Sequence, residues 1–446
     1  MKKKDDFPGY RGEALQSIKD AGATIGDMIR VTRGEQTYEG ILIPRSEGAD
    51  EKHLVLKLKS GYNVGVKITE ETKIKRISKA ASPSFVAPPL PKQNPELKSV
   101  VILSTGGTIA SRVDYRTGAV RPALTARDLN SVVPELTNIA KIETEILLNL
   151  FSENITPKHW TQIAKAVAKK ILAGVDGVVI AHGTDTMGYT AAALSFALQN
   201  LPVPVILVGS QRSADRPSSD AATNLIGAVT AATKAPFAEV AIAMHETTKD
   251  TSIILHKGTK TRKCHTSKRD AFKSVNITPL ARIEDGKITM ITEEYQKRLP
   301  TRRLKLKPQF NERVALLKFY PALNPEIINF YIKHNYKGII LEGTGLGHVS
   351  SESFKAIKKA VEKDIIVGMT SQCIWGRINM NVYNQGRDLQ NIGITPLEDI
   401  LPETALVKLM WVLGQTTNIE EAQKLLKQNI SGEFSPRTLP EEDTSV

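Results

Sequence analysis

"IAHGTDTMGYTAAALSFAL", residues 180–198, changes character halfway along. Its second half is a plain helix of small and apolar residues. Its first half crowds His182, Gly183, Thr184, Asp185 and Thr186 into the turn before that helix. The run just ahead, "GVVIAHG", is apolar without the alternation of a half-exposed strand, the pattern of a strand covered by helices on both faces of a parallel sheet. A buried strand that ends in hydroxyls and a carboxylate predicts an α/β fold with a ligand site outside the strand's carboxyl end.

The same rhythm extends outward. "SVVILST", "PVILVGS" and "EVAIAMH" are further apolar runs of strand length, and helices are expected over Lys158–Ala173, Thr186–Gln199 and Asp220–Lys234. It resumes in "RVALLKF", "GIILEGT", "SESFKAIKKAVEK" and "IIVGMTS". Residues 22–78 differ. Their short alternating runs, separated by turn residues, predict a small antiparallel SH3-like β-barrel with no helix of its own. "SKAASPSFVAPPLPKQNPELK" then reads as an extended, Pro-rich connector. The expected organisation is a barrel domain over 1–80, a linker over 81–98, a large α/β domain over 99–305, a smaller α/β domain over 306–435 and a polar tail over 436–446.

Composition sets bounds. The 446 residues, 41% hydrophobic and 24% charged, suit about three domains at ~150 residues each. No secretory signal follows Met1, and no stretch approaches the roughly 18 apolar residues of a membrane span. Two cysteines, Cys264 and Cys373, are too few for a disulfide framework, so the expected location is a reducing cytoplasm, away from membranes. The net charge of +13 is concentrated: between His256 and Lys307, fifteen Lys/Arg face five Asp/Glu, an excess of ten. Such a block either follows a phosphate backbone or is a solvated surface loop.

Two strand ends carry candidate chemistry. One gives Thr105, Gly106, Gly107 and Thr108 in "STGGTIAS"; the other gives His182 to Thr186. Glycines let a substrate approach the backbone, whose N–H groups can hold an oxyanion. The threonines are candidate nucleophiles, and each needs a base. The structural alternatives are a tight turn for the first cluster and helix capping by Thr184 or Asp185 for the second. His182 fits either a base or a packing role, and Lys263 is one lysine candidate among many.

"TGGTIAS" and "HGTDT", in this order, resemble the asparaginase/glutaminase family of amidohydrolases. The resemblance runs from about Ser99 to Gln428 and includes "LVGSQRSADRPSSDAATNL", "TSQCIWGRINMNVY" and "LPETALVKLMW". It implies a large flavodoxin-like domain followed by a smaller α/β domain. It also implies catalytic Thr108, Thr184, Asp185 and Lys263, a lid carrying Tyr115, and substrate binding by Gly107, Ser152, Glu153 and Asp185, with no metal. Thr108 is then the first nucleophile, although the residues alone leave Thr108 and Thr184 open. Glu153 stands where many members carry Gln, and Leu346 and His348 stand where secreted bacterial members carry asparagines.

The barrel, the connector and the basic block are additions to that pattern. With them, nearly the whole chain resembles the D-subunit family of archaeal Glu-tRNA(Gln) amidotransferases. That resemblance implies hydrolysis of L-glutamine and delivery of ammonia to an E subunit, in a heterodimer that doubles into a dimer of heterodimers. The E subunit, with ATP and Mg, would activate glutamate carried on tRNA(Gln); this chain itself would need no cofactor. The absence of a G-x-x-x-x-G-K-[ST] run agrees with ATP chemistry on another chain. The alternatives are a free-standing cytoplasmic L-asparaginase and a binding protein with a degenerate hydrolase domain. A cysteine-dependent glutaminase is disfavoured, because neither cysteine sits in a Gly-x-Cys-x-Gly elbow.

Overall fold

The alternating N-terminal runs form five antiparallel strands: β1 (Met28–Arg33), β2 (Gln36–Leu42), β3 (His53–Leu58), β4 (Asn63–Lys67) and β5 (Lys73–Ser78). Their order is β4-β3-β2-β1-β5, and among the described residues no ladder joins β4 to β5, so the expected barrel is an open one. Alternation sends Ile29 and Val31 into the core beside Leu42, Leu54, Leu56 and Val66, while Arg30 on the opposite face pairs with Glu39. The computed structural model describes residues 7–45, 50–59, 63–79, 94–107, 109, 111–113, 120–122, 133–212 and 218–438. One expectation changes here. A helix, α1 (Gly12–Asp20), precedes the strands and seats Ala14 and Ile18 in their core, so the barrel carries a helical cover. Most of the Pro-rich connector and the end of the polar tail fall outside the described residues.

Four apolar runs and one mostly polar edge strand, KIETEI at 141–146, pair in parallel. They are β6 (Ser99–Ser104), β7 (Lys141–Ile146), β8 (Gly177–Ala181), β9 (Val205–Val208) and β10 (Val240–His245). Their order, β7-β6-β8-β9-β10, is the 2-1-3-4-5 order of a flavodoxin-like sheet, with its switch point between β6 and β8. Three antiparallel strands extend the far edge. These are β11 (Ser252–Lys257), β14 (Ala281–Glu284) and β15 (Lys287–Met290); the sheet is therefore mixed rather than parallel throughout. Between β11 and β14 a short hairpin, β12 (Thr261–Lys263) with β13 (Phe272–Ser274), leaves the sheet. Helices α2 (Pro157–Leu172), α3 (Met187–Ala197) and α4 (Ala221–Lys234) cover the faces.

The smaller domain has four parallel strands in sequence order: β16 (Val314–Lys318), β17 (Gly338–Gly343), β18 (Ile366–Ser371) and β19 (Thr395–Pro396). Its helices are α5 (Glu326–Lys333), α6 (Phe354–Val361), α7 (Asn384–Ile392), α8 (Pro402–Gln415) and α9 (Ile419–Lys427). Helix α8 packs against α3, with the rings of Phe196 and Trp411 stacked 5.9 Å apart. Both helices are buried nearly all round, since each is sandwiched between layers. The two domains are also joined by a buried ion pair, Lys260 Nζ to Asp399 Oδ2 at 2.6 Å.

The basic stretch from His256 to Lys307 is neither a solvated loop nor a continuous charged face. Lys257 pairs with Glu239, Lys260 with Asp399, Arg262 with Glu403, Arg269 with Asp250 and Arg282 with Glu246. Arg298 donates to the carbonyls of Thr233 and Asp176, and Arg302 to that of Leu201. Most of its local charge excess is answered by acidic residues and carbonyls from elsewhere in the chain.

A second buried pair lies under the C-terminal segment. Lys408 Nζ meets Glu433 Oε1 at 2.6 Å with both side chains wholly buried, and Glu433 also accepts the N–H groups of Ile430 and Ser431. Removing one ion leaves the other uncompensated, which costs about 3–5 kcal/mol. Lys408→Met should therefore lower unfolding stability by that amount, and Lys408→Met with Glu433→Gln should recover part of it. Urea unfolding followed by tryptophan fluorescence would check both; an unchanged midpoint in Lys408→Met would mean that the pair contributes little.

Candidate active site

The switch point between β6 and β8 brings three turns together. Ser104 and Ala181 are paired at the strand ends, and just beyond them Thr105 donates from its N–H (2.9 Å) and its hydroxyl (3.0 Å) to the Ala181 carbonyl. Gly106 and Gly107 then take φ values of +113° and +82°, a region L side chains rarely adopt. A Cβ on Gly107 would lie 2.6 Å from the Cα of Gly183, and one on Gly183 would lie 2.8 Å from the Cβ of Ser152. These glycines are thus needed for close approach: the turns after β6, after β7 and after β8 touch backbone to backbone. Thr186 ties two of them, its hydroxyl donating to the Ser152 carbonyl at 2.6 Å.

Onto this floor the hairpin delivers Lys263. Its ammonium donates to Thr184 Oγ1 at 2.9 Å and to Asp185 Oδ1 at 2.8 Å. Lys263 closes β12 opposite Phe272, which is buried, so the hairpin is anchored in the core where the lysine leaves it. Arg269 clamps the hairpin's tip through Asp250 at 2.9 Å and the carbonyl of Ser218. Thr184 is buried and Lys263 nearly so (14% exposed), whereas the Asp185 side chain is 69% exposed. The ammonium and hydroxyl are covered; the carboxylate faces out.

The capping alternative does not hold. Helix α3 starts at Met187 with Thr186 at its N-cap, and no side-chain cap bond is made there. Thr184 and Asp185 face Lys263 instead. His182 is a packing residue. Its Nδ1 donates to the Gly183 carbonyl at 2.7 Å, which leaves Nε2 to accept from the Thr190 hydroxyl at 2.9 Å. Trp160 Nε1 donates to the same hydroxyl at 3.2 Å. Complete burial pushes the imidazole down to about 4, so it stays neutral at neutral pH.

Ser152 is buried beside Gly183, and Glu153 next to it is exposed in the same short turn. Thr108 and Tyr115 lie outside the described residues. Cys264 and Cys373 are free and exposed. Burial of part of the Cys264 thiol pushes its pKa up, the wrong direction for a nucleophile. Sequence reasoning missed the supports: Thr190 and Trp160 behind His182, and the Arg269–Asp250 clamp. Trp160 and the Arg269–Asp250 clamp carry no local signal, because their partners come from other segments, and Thr190, eight residues after His182, is one of several small polar residues on its helix. Among the described residues no three His, Cys, Asp or Glu gather to hold a metal, and no helix is long and apolar enough to cross a membrane.

This chemistry has relatives. Residues 99–296 match the family model "Asparaginase, N-terminal", residues 313–426 the "Glutaminase/Asparaginase C-terminal domain", and residues 23–77 the "GatD N-terminal domain". The structure is similar to the thermostable L-asparaginase from Thermococcus kodakarensis, with a TM-score of 0.68 and 32% identity over 76% of this chain and 100% of that one. L-asparaginase I from Vibrio cholerae is similar at a TM-score of 0.66 and 31% identity, over 76% of this chain and 99% of that one. The curated relatives extend over the barrel as well. The D subunit of the glutamyl-tRNA(Gln) amidotransferase of Pyrococcus furiosus is 51% identical over 95% of this chain and 98% of its own length. Its counterpart in Methanothermobacter thermautotrophicus is 48% identical, over 96% and 98%. With its barrel, its two asparaginase-type domains and near-full-length identity of this size, the chain belongs to the D-subunit family of glutamyl-tRNA(Gln) amidotransferases.

Proposed function

We propose that this chain is the glutaminase subunit of a tRNA-dependent amidotransferase, an amidohydrolase whose ammonia is used on a partner subunit. The observation that carries the reading is the Lys263 ammonium bridging Thr184 and Asp185 at the switch point, in a chain that also carries the barrel typical of that family. A free-standing cytoplasmic L-asparaginase fits less well: the asparaginase structures are matched over their full length and leave about a quarter of this chain without a counterpart.

In this reading L-glutamine binds with its ammonium against Asp185 and its carboxylate toward Ser152, while Gly107 lets the side-chain amide settle on the backbone. Glu153 flanks the ammonium. The Thr108 hydroxyl attacks the amide carbon, backbone N–H groups of the glycine turns hold the oxyanion, and Tyr115 closes over the site as part of a lid. Thr184, Lys263 and Asp185 pass the hydroxyl proton to the departing ammonia. Water then cleaves the acyl-enzyme and releases glutamate. His182 takes no part, being buried and neutral. The partner is the E subunit, in a cytoplasmic heterodimer that assembles as a dimer of heterodimers. ATP and Mg there activate Glu-tRNA(Gln), and the ammonia converts it to Gln-tRNA(Gln).

Thr108→Ala, Thr184→Ala, Asp185→Ala and Lys263→Ala should each cut glutamine-dependent transamidation by at least about 100-fold, the usual scale for groups acting on a proton in flight. Their losses should not add, because the groups act as a unit. Free ammonia should restore transamidation in all four, since it bypasses only this site. Near-normal glutamine hydrolysis in any two would remove the assignment.

Iodoacetamide should alkylate Cys264 and Cys373, both exposed, and leave glutamine hydrolysis largely intact. Mass spectrometry would verify the modification. Complete loss of activity in Cys264→Ser or Cys373→Ser would instead point to a thiol nucleophile.

A further inference from the structure

A concavity of about 500 Å³ opens at the end of the large sheet opposite the candidate active site. Its floor is the start of β10 at Val240 and the end of β11 at Lys257; the segment after α9 closes one side. A short antiparallel pairing of Leu198–Gln199 with Lys305–Leu306 forms the rim. This volume is typical of a small-molecule site.

Its charge is strongly one-sided. Three lysines line it, Lys257, Lys305 and Lys307, against one carboxylate, Glu239. Glu239 is already engaged, pairing with Lys257 at 2.7 Å and accepting the Gln296 N–H at 2.7 Å. Lys305 and Lys307 sit two apart on an extended segment and so share a side. Lys307 leans over the Trp411 ring, 5.6 Å from its centroid, and no described carboxylate meets either ammonium. The side-chain amides of Gln199, Asn200 and Gln428 add neutral donors. No arginine lines the space, and the two lysines present compact point charges with several rotatable donors, which suit a phosphate's tetrahedral set of oxygens. The indole of Trp411 is wholly buried and offers no stacking face for a base.

We propose that this pocket binds the phosphate group of a small molecule, held by Lys305 and Lys307 and by the neighbouring amides. A nucleic-acid duplex presents a convex backbone and does not enter a recess of this size. The site is distinct from the glutaminase centre and does not depend on the function assigned to that centre.

Titration calorimetry on the full chain at constant ionic strength tests this, with inorganic phosphate, AMP and a twelve-nucleotide single-stranded RNA as probes. Phosphate and AMP should bind with a Kd of about 1 mM or tighter. Lys305→Gln with Lys307→Gln should weaken both by at least about tenfold, the scale of one lost charge-assisted bond. Arg303→Gln, a nearby charge that does not line the pocket, should leave the affinity unchanged. Unfolding midpoints measured without phosphate should match the parent protein in both variants, which separates lost binding from lost folding. Absence of phosphate binding, equal affinity in the double variant, or an equal loss in Arg303→Gln would overturn the proposal. Binding of the RNA without binding of phosphate would overturn it too, by making the lysines an RNA contact.

Discussion

One ammonium organises the centre of this molecule. Lys263 donates to Thr184 and Asp185 at once, and nothing in its own strand directs it there. Three separate constraints set that geometry. Phe272 anchors the hairpin in the core, Arg269 clamps its tip to Asp250, and the glycine turns let Thr184 sit low enough to be reached. Gly209 adds a fourth. A Cβ there would lie 2.8 Å from the Thr184 methyl, so the end of β9 must also be bare for the threonine to keep its place. A shared donor between two acceptors tolerates little displacement, since hydrogen bonds weaken steeply as they lengthen or bend. Supports far from the chemistry therefore matter as much as the groups that perform it.

Four parallel strands of the large sheet were legible because strands buried on both faces must be apolar throughout, whereas the edge strand β7, KIETEI with one buried residue, carries no such signal. Strand direction was not legible. "SIILHK" in β11 is nearly as buried as its parallel neighbours, yet it runs antiparallel, a property set by the connection and the neighbours rather than by composition. Helix α1 was missed for a different reason. Nine residues are too few for an isolated helix, and "GEALQSIKD" is helical because the barrel core accepts Ala14 and Ile18. Thr184 and Asp185 stood out locally at a strand end. Lys263 did not, because its partner Thr184 is 79 residues away and only the fold joins them. The family resemblance supplied that link where local patterns could not.

The basic stretch shows the same divide between sequence and space. Counted along the chain it carries a large positive excess, the usual footprint of a nucleic-acid binder. Folded, it meets Glu239, Glu246, Asp250, Asp399 and Glu403, all from outside the stretch. Potential at a surface depends on what lies nearby in space, so a local count overstates the field. Arg298 and Arg302 are likewise committed to backbone carbonyls, at the end of α4 and just ahead of β8 and β9. Lys297, Arg303 and Lys305 remain exposed along the same stretch, with Lys307 half-buried over Trp411.

The pattern of exposure at the centre has a further consequence. Thr184 and Lys263 are covered, but Asp185 opens to solvent, so one end of the Lys263–Asp185 pair lies in a high dielectric. A group that settles over Asp185 removes that water and strengthens every charge interaction around it. The ammonium of an amino-acid substrate is suited to that position, because it supplies a counter-charge as it displaces solvent. Among the described residues the Lys263–Asp185 pair is thus open at its carboxylate end and covered at its ammonium end. With His182 fixed neutral behind the floor, the polar side chains that meet in front of it among the described residues are the Thr184 hydroxyl, the Lys263 ammonium and the Asp185 carboxylate.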